Sequence, residues 1–215
     1  MTGSIIIADD HPLFRQALRE TIAPLFPDAS ILDIESLEET KIILETTDIE
    51  LLLLDLKMPD TEGLTGLMMI KGTYPQLPVI VISATEDNAT VRACIQAGAS
   101  AYIFKSASLQ DIRDTITAVN AGEVYVPERV NNSISDAEQT ELDNIAKVSS
   151  LTPAQLRVFY FLCEGQMNKQ IAYEMSITEA TVKAHITSIY KKLGVRTRTQ
   201  AVLLASSLRE FKSEA

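Results

Sequence analysis

The sequence predicts two domains of different class, a doubly wound α/β domain with a five-stranded parallel sheet and then an all-α domain of four helices. The first prediction rests on five short apolar runs that alternate with amphipathic stretches of helix length up to about residue 125. Such alternation is typical of a parallel sheet covered by helices on both faces. The second prediction rests on residues 151–215, where helical periodicity appears without a strand candidate.

Each apolar run is predicted to be a strand, and each amphipathic stretch a helix. Three of the runs are almost uninterrupted, as expected for strands buried on both faces. The second run is more polar, which favours a position nearer the edge of the sheet. The predicted strands are 5–8, 30–34, 51–54, 79–82 and 101–104. The predicted helices are 13–25, 37–46, 64–73, 89–97 and 109–121.

The pattern fails after residue 125, so we predict an α/β domain at 1–125, a linker at 126–148 and a helical domain at 149–215. The linker is polar and acidic, with one short helix expected around 137–146. Thr152 followed by Pro153 predicts a helix start, because threonine caps helices and proline suits their first position. The helices predicted from there on are 153–164, 168–175, 179–193 and 199–212.

Charge is distributed unevenly between these parts. The net charge of −10 would argue against a nucleic-acid partner if it were spread evenly. Residues 1–147 carry a net charge of −14, however, and residues 148–215 carry +4. The asymmetry therefore predicts different partners for the two domains.

Membrane, secretory and disulfide-rich classes are not expected. The apolar runs are far shorter than the ~18–20 residues of a membrane span, and the first ten residues lack a secretory pattern. Cys94 and Cys163 have no metal-binding or disulfide spacing, so we interpret both as packing residues. The prediction is a cytoplasmic protein with no membrane partner.

Polar side chains follow four of the predicted strands. Asp9 and Asp10 follow the first strand, Asp55 the third, Ser83 the fourth and Lys105 the fifth. Ligands bind at the carboxyl ends of the strands in an open parallel sheet, so these side chains are expected to converge. Clustered carboxylates need a cation, and oxygen ligands with an open coordination sphere suit Mg²⁺.

Asp55 is the candidate nucleophile of this cluster. A carboxylate can attack phosphorus to form an acyl phosphate, while a metal ion and a lysine offset the charge. Asp55 ends the most apolar run of the chain, where a charge needs a specific reason to exist. Taken singly, Asp10 and Ser83 could instead be helix caps, and Lys105 a solvated loop residue.

Residues 4–122 resemble the receiver domains of bacterial response regulators. The resemblance is carried by four motifs in order: Asp9-Asp10-His11-Pro12; Asp55-Leu56-Lys57-Met58-Pro59 with Gly63; Ser83-Ala84; and Tyr102-Ile103-Phe104-Lys105. It implies a flavodoxin-like fold in which Asp55 accepts a phosphoryl group from a histidine kinase. It also implies Mg²⁺ bound by Asp10, Asp55 and the backbone carbonyl of Lys57, with Asp9 in support.

The same resemblance implies roles for three further side chains. Ser83 and Lys105 would bind phosphoryl oxygens, and Tyr102 would be the aromatic residue that reorients with Ser83. One residue departs from the family pattern, since Ser106 stands where many receivers have a proline. The departure concerns the conformation of this loop and not the chemistry.

The predicted helices 168–175 and 179–193 form a helix-turn-helix, with Thr178 as the cap of the second helix. Val182, Ile186, Ile189 and Leu193 are spaced to face a core. A different face carries compact or basic residues that permit close approach to a major groove: Lys183, Ala184, Thr187, Ser188 and Lys191. Lys192, Arg196 and Arg198 extend the positive strip toward phosphates. The alternative is a generic four-helix bundle with a solvated basic face.

The carboxyl-terminal domain resembles the LuxR-type DNA-binding domain over about 65 residues. The motifs are Leu151-Thr152-Pro153; Gly165 with Asn168-Lys169-Gln170-Ile171-Ala172; Thr181-Val182-Lys183-Ala184-His185; and Lys192-Leu193-Gly194-Val195. The resemblance implies that Lys183, Ala184 and Thr187 reach base edges, with His185 and Lys191 nearer the backbone. Ala154 and Gln155 stand where the family often has an acidic residue.

The last helix is implied to be a dimer contact through Ala201, Val202, Leu204 and Ala205, although packing on its own domain is equally open. The whole sequence is similar to the NarL/FixJ family of response regulators. It predicts a transcription factor, not an enzyme, that is switched by phosphorylation and binds two-fold-related DNA sites as a homodimer.

Two other functions are considered. One is a DNA-binding regulator whose receiver is an unphosphorylated dimerisation or docking module. The other is an aspartyl-phosphate phosphotransferase, which is disfavoured because Lys57 occupies the place of the second acid that such enzymes use. His11 and His185 are considered too isolated in the sequence to form a metal site.

Overall fold

The structure is a computed structural model that describes residues 3–58, 64–127, 130 and 134–209. The described residues form two compact units, the first ending by residue 130 and the second beginning at Ile134. Pro59 and Gly63 of the receiver motif lie outside the described residues, as do residues 210–212 of the predicted last helix. In the part of the chain that the structure describes, no helix has the length and apolar character needed to span a membrane.

The first unit is built on the predicted five-stranded parallel sheet. Its strands, in chain order, are β1 (Ser4–Ala8), β2 (Ser30–Ile34), β3 (Ile49–Asp55), β4 (Val79–Ser83) and β5 (Ala101–Phe104). They are arranged in the order β2-β1-β3-β4-β5, and every pair is parallel. The more polar β2 lies at an edge, as predicted. Successive strands are added toward one edge from β1 to β2 and toward the other edge from β3 onward. Open parallel sheets bind ligands at the point where this direction changes, here between β1 and β3.

Five α-helices connect and follow the strands. They are α1 (Pro12–Ile22), α2 (Leu37–Thr46), α3 (Leu64–Thr73), α4 (Asn88–Gln96) and α5 (Leu109–Asn120). Four agree with prediction within the usual uncertainty of helix ends. The first was predicted to reach residue 25 but ends at Ile22, because a 3₁₀ turn containing Pro24 follows it.

The core of this unit lies between the sheet and the helices on either face. Alternate strand residues such as Ile5, Ile7, Leu53 and Ile80 pack on one face against helices α1 and α5. Burying one such side chain stabilises the fold by about 1.5–3 kcal/mol relative to its exposure. This dense support holds the carboxyl ends of the strands in fixed positions. Cys94, on α4, is also fully buried, as its predicted packing role requires.

The second unit is helical. Its helices are α6 (Asp136–Ser149), α7 (Pro153–Cys163), α8 (Asn168–Glu174), α9 (Glu179–Leu193) and α10 (Arg198–Arg209). The last four correspond to the four predicted helices, and α9 has the predicted bounds.

Helix α6 is longer than the short helix expected around 137–146, and it extends past the end of the predicted linker at residue 148. Ser135 caps it by accepting the backbone N–H of Glu138. Leu142, Ile145 and Val148, spaced one turn apart, are buried in the unit. These apolar residues are scattered among acidic ones, which is why the sequence gives only a weak helix signal.

Two predicted faces can be compared with the structure. Val182, Ile189 and Leu193 are buried as predicted, whereas Ile186 is only partly buried. Ala201 and Ala205 of α10 are buried inside their own unit. Those two alanines therefore match the alternative of packing on the same domain, because helix α10 turns its small residues inward.

Candidate functional site

Three carboxylates meet at the carboxyl ends of β1 and β3. Asp55 is the last residue of β3 and is only 2% exposed, and Asp9, directly after β1, is 1% exposed. Potential ligand atoms of Asp9, Asp10, Asp55 and His11 all lie within 4.8 Å of one another. The sheet topology produces this cluster, because β1 and β3 are adjacent in space although about 45 residues apart in the chain.

Lys105 supplies the positive charge of the cluster from the end of β5. Its Nζ lies 2.7 Å from Oδ2 of Asp55 and 2.7 Å from Oδ2 of Asp9. The ammonium also lies 5.0 Å from the centre of the Phe14 ring, in cation–π range. The other oxygen of Asp55, Oδ1, accepts the backbone N–H of Lys57 over 3.0 Å. Both oxygens of Asp55 are therefore held in position.

The pKa shifts show which physical effect dominates at this cluster. Burial raises the pKa of Asp55 above its ordinary value of 3.8, although hydrogen bonds from Lys105 and Lys57 oppose that shift. Burial lowers the pKa of Lys105, but its bonds to Asp55 and Asp9 outweigh burial, so the net pKa is raised. Lys105 therefore remains charged at neutral pH, and the desolvated carboxylate of Asp55 depends on it.

Ser83 and Tyr102 meet at Thr85 of the loop after β4. The Tyr102 hydroxyl donates to the Thr85 carbonyl over 2.8 Å, and the Thr85 N–H donates to Oγ of Ser83 over 3.2 Å. Tyr102 is completely buried, and burial raises the pKa of its phenol, which keeps the hydroxyl protonated as a donor. A single loop residue thus links the two side chains that were predicted to move together.

His11 corrects one sequence interpretation. It was considered too isolated for a metal site, yet its Nδ1 lies 2.7 Å from Oδ1 of Asp10 and 3.0 Å from Oδ1 of Asp9. His11 is also the N-cap residue of α1, and no side-chain cap bond is formed there. Asp10 is therefore not the cap of α1, which was the alternative role considered for it. The contact could have been predicted from the sequence, because His11 directly follows two aspartates.

Arg15 is a further residue that the sequence analysis missed. Its guanidinium is buried and donates to the backbone carbonyl of Asp9 and to the side chain of Glu35. One helical turn separates Arg15 from His11, so α1 positions both residues against the end of β1. Nothing in the sequence alone distinguishes Arg15 from an ordinary surface arginine on a helix.

The donor set fits a hard divalent cation. Carboxylate oxygens are the ligands that Mg²⁺ prefers, and Asp10 and Asp55 offer such oxygens within 4.8 Å of each other. Lys57, whose carbonyl is the predicted third ligand, is held beside Asp55 by its own N–H. A cation here would also offset the mutual repulsion of three carboxylates.

In the second unit, α9 presents an exposed polar face. Thr178 caps the helix by accepting the N–H of Thr181 over 3.1 Å, and Gly194 ends it in the left-handed region at φ +71°. Both signals are local, which explains why the helix bounds were predictable. The predicted DNA-contacting residues lie on this helix: Lys183, Ala184, Thr187 and Lys191 are exposed, and His185 is half-buried.

Two residues of the predicted positive strip have partners within the unit. Lys192 donates to the Ser150 carbonyl over 2.9 Å. Arg198 donates to the carbonyls of Leu162 and Gln166 over 2.7 Å and 2.9 Å, so it binds the carboxyl-terminal end of α7. Arg198 thus joins the start of α10 to the end of α7 rather than offering a free charge to phosphate.

Comparisons with known proteins agree with both units. Residues 5–117 match the model of the response regulator receiver domain, and residues 149–205 match that of bacterial regulatory proteins of the luxR family. The chain is 38% identical over 210 residues to the glycerol metabolism activator of Pseudomonas putida, across 95% of each protein. It is 32% identical over 209 residues to the nitrate/nitrite response regulator protein NarP of Escherichia coli strain K12, across 93% of each.

The fold is similar to that of RcsB in a structure of two RcsB dimers bound to two parallel DNAs. The TM-score is 0.57 at 24% identity, covering 97% of this chain and 100% of that chain. The relatives are transcriptional regulators, in agreement with the prediction made from the motifs. The chain therefore belongs to the NarL-family two-component response regulators, which join a receiver domain to a LuxR-type DNA-binding domain.

Proposed function

We propose that Mg²⁺-dependent phosphorylation of Asp55 by a histidine kinase switches the affinity of this regulator for DNA. The observation that carries the proposal is the environment of Asp55, a buried carboxylate held by the Lys57 N–H and Lys105 Nζ beside two further aspartates. Burying a carboxylate costs stability, so an aspartate with only a structural role is not expected in such a buried position.

The reaction is a phosphoryl transfer between two side chains. An oxygen of Asp55 forms a bond to phosphorus while the P–N bond of the kinase phosphohistidine breaks, and the bonding electron pair leaves with the imidazole nitrogen. Lys105 is already within 2.7 Å of Asp55, so a small shift of its ammonium brings it to the new phosphoryl oxygens. Ser83 lies at the end of the adjacent strand β4 and supplies a hydroxyl donor.

Asp10, Asp55 and the Lys57 carbonyl are the proposed metal ligands, with Asp9 in support. A bound Mg²⁺ supplies charge neutralisation of the transferring phosphoryl group. Asp9 contributes through Lys105, which its carboxylate holds in place. These assignments follow the receiver resemblance and agree with the spacing of ligand atoms within the cluster.

The switch is proposed to run through Thr85. In the structure the Ser83 hydroxyl accepts a hydrogen bond from the Thr85 N–H. This bond breaks when Ser83 turns its hydroxyl to the phosphoryl group. Thr85 also holds the Tyr102 hydroxyl, so its displacement alters the packing of that buried ring. The change at Asp55 thereby reaches the loops after β4 and β5, and the unit has two alternative states.

The output is proposed to be DNA binding by α9 in a homodimer on two-fold-related sites. Lys183, Ala184 and Thr187 would contact base edges, and His185 and Lys191 the backbone. The proposal agrees with the exposure of these residues and with the net charge of +4 over residues 148–215. The proposal also includes a cytoplasmic location and a role as a regulator and not as an enzyme, with one domain at 1–125 and a second at 149–215 that α6 extends at its amino-terminal side.

Intact-mass measurement after incubation with acetyl phosphate tests the central step. We expect wild-type protein with Mg²⁺ to gain one phosphoryl group that is labile to base, and Asp55→Asn protein to gain none. The same incubation with EDTA should abolish the gain. An equal gain on both proteins would rule out Asp55 as the acceptor. A second incubation uses a phosphorylated kinase domain as the donor. If wild-type protein gains no phosphoryl group from either donor, the phosphorylation mechanism is excluded and the alternative of a phosphorylation-independent regulator stands.

A further inference from the structure

One buried side chain of the second unit joins the amino-terminal end of α7 to α9. Gln155 is only 8% exposed although it carries a polar amide. Its Oε1 accepts the Thr152 N–H over 3.1 Å, completing the cap of α7. Its Nε2 donates to Oγ of Ser188 on α9 over 2.9 Å, across 33 residues of sequence.

Both ends of the amide are therefore engaged. Immobilising a glutamine side chain costs about 1.5–2 kcal/mol of conformational entropy, and burying an unpaired amide costs more. A glutamine at this position is tolerated because each end has a partner. The Thr152 bond is a helix cap and is local, whereas the Ser188 bond constrains a second helix.

Ser188 lies at the border of the face that we propose for DNA contact. It follows Thr187 directly, one turn after Ala184 and one turn before Lys191. The other contacts that hold α9 come from apolar residues such as Val182, Ile189 and Leu193, and from the exposed bond of Lys192 to the Ser150 carbonyl near the carboxyl-terminal end of the helix. Apolar packing has little directional preference, whereas a hydrogen bond fixes both distance and angle. The Gln155 bond is thus suited to set the rotation of α9 about its own axis.

We propose that Gln155 is a positioning residue for DNA recognition, which acts by fixing the rotation of α9 through Ser188. The inference rests on the proposed function, in which α9 contacts base edges. Binding groups must be held within about 0.5 Å and 10–20° of their productive geometry. Base contacts depend on that geometry more strongly than phosphate contacts do, so loss of the bond should reduce sequence discrimination first.

The test uses the full chain and two DNA duplexes, one selected by the wild-type protein from a random pool and one with the same sequence scrambled. Gln155→Met keeps the side-chain length but loses both bonds. We expect it to weaken binding of the selected duplex by about threefold to tenfold, the equivalent of one hydrogen bond, and to leave the scrambled duplex unchanged. Gln155→Glu should retain discrimination, because its oxygens accept both the Thr152 N–H and the Ser188 hydroxyl.

A matched control is available in α8. Gln170 forms the same type of cap, accepting the Met167 N–H over 2.7 Å, but its side chain is exposed. Gln170→Met should therefore leave the ratio of the two affinities unchanged. If Gln155→Met does not fold, Ser188→Ala removes the same bond with a smaller change and should give the same loss of discrimination.

Two outcomes would overturn the inference: an unchanged affinity ratio in Gln155→Met or Ser188→Ala, or an equal loss on both duplexes. Lys183→Ala separates this inference from the proposed function. If Lys183→Ala weakens the selected duplex while the Gln155 variant does not, only the positioning role fails. If Lys183→Ala has no effect, the proposed contact face fails, and the positioning role fails with it.

Discussion

The two candidate sites of this protein are built in opposite ways. The acidic site of the first unit gathers Asp9, Asp55 and Lys105 from the ends of three strands and buries the two carboxylates almost completely. The α9 face takes its residues from a single helix and leaves most of them exposed. Buried charges interact strongly but are costly to desolvate, whereas exposed charges are screened by salt. The first site should therefore be sensitive to the loss of one charge, and the second to ionic strength.

The largest expected effect is at the buried site. Replacing Lys105 by methionine leaves two buried carboxylates without their cation, and we expect the free energy of unfolding of the first unit to fall by about 3–5 kcal/mol at pH 7. Urea denaturation measures this change. The exposed pair of Lys41 and Glu38 provides a control, because Lys41→Met should cost less than 1 kcal/mol.

The Lys105→Met effect should depend on pH with a definite sign. Burial raises the pKa of Asp55 above 3.8, so the folded state binds the proton more tightly than the unfolded state. Ionisation of Asp55 therefore costs stability as pH rises from 3.8 through its folded pKa, and the loss of Lys105 increases that cost. The deficit relative to wild type should shrink in acid. A deficit that is constant with pH would contradict the electrostatic explanation.

An intermediate effect is expected at the α9 face. Lys183→Ala should weaken binding of a selected duplex by about 1–3 kcal/mol and leave scrambled DNA nearly unaffected, because base contacts carry specificity. Lys191→Ala should weaken both duplexes and reduce the slope of log affinity against log salt by about 0.9, as one phosphate contact is lost. Fluorescence anisotropy at several salt concentrations distinguishes them, and an identical response of the two variants would contradict the assignment.

The smallest effect is expected at the helix caps, a feature that the two units share. Ser36 caps α2 of the first unit and Thr178 caps α9 of the second, each through one side-chain bond to a backbone N–H. Replacing either residue by alanine should lower the free energy of unfolding of its own unit by about 1 kcal/mol. Chemical denaturation followed separately for each unit measures both values. A cost several-fold larger in one unit would mean that its cap has a role beyond the helix end.

Residues with a local signal were placed well by sequence reasoning. The five strands, the bounds of α9 and the cap at Thr178 were predicted, because apolar periodicity and capping depend on neighbours in the chain. The convergence of Asp9, Asp55 and Lys105 was also predicted, since the carboxyl ends of parallel strands share one edge. Helix α6 was underestimated because its apolar residues are isolated among acidic ones.

The contacts of three individual side chains were missed or misjudged. His11 was set aside as a ligand, although the turn after β1 places its ring against Asp9 and Asp10. Arg15 was not distinguished from an ordinary surface arginine, and Arg198 was predicted to extend the positive strip toward phosphates, yet each binds backbone carbonyls. The partners of both arginines are contributed by other segments, so no spacing in the sequence announces those contacts. The partners of His11 directly precede it in the chain, so that contact had a sequence signal.

The sequence by itself determined the family, the two fold classes and the identity of the acidic cluster, because motifs, periodicity and caps are properties of short segments. Only the tertiary structure decided which partner each buried polar or charged group meets: Lys105 is shared by two aspartates, Thr85 lies between Ser83 and Tyr102, and Gln155 is bonded to Ser188. The physical reason is that the cost of burying a polar group depends on desolvation and on the partners it meets. Those partners are brought together only when the chain has folded.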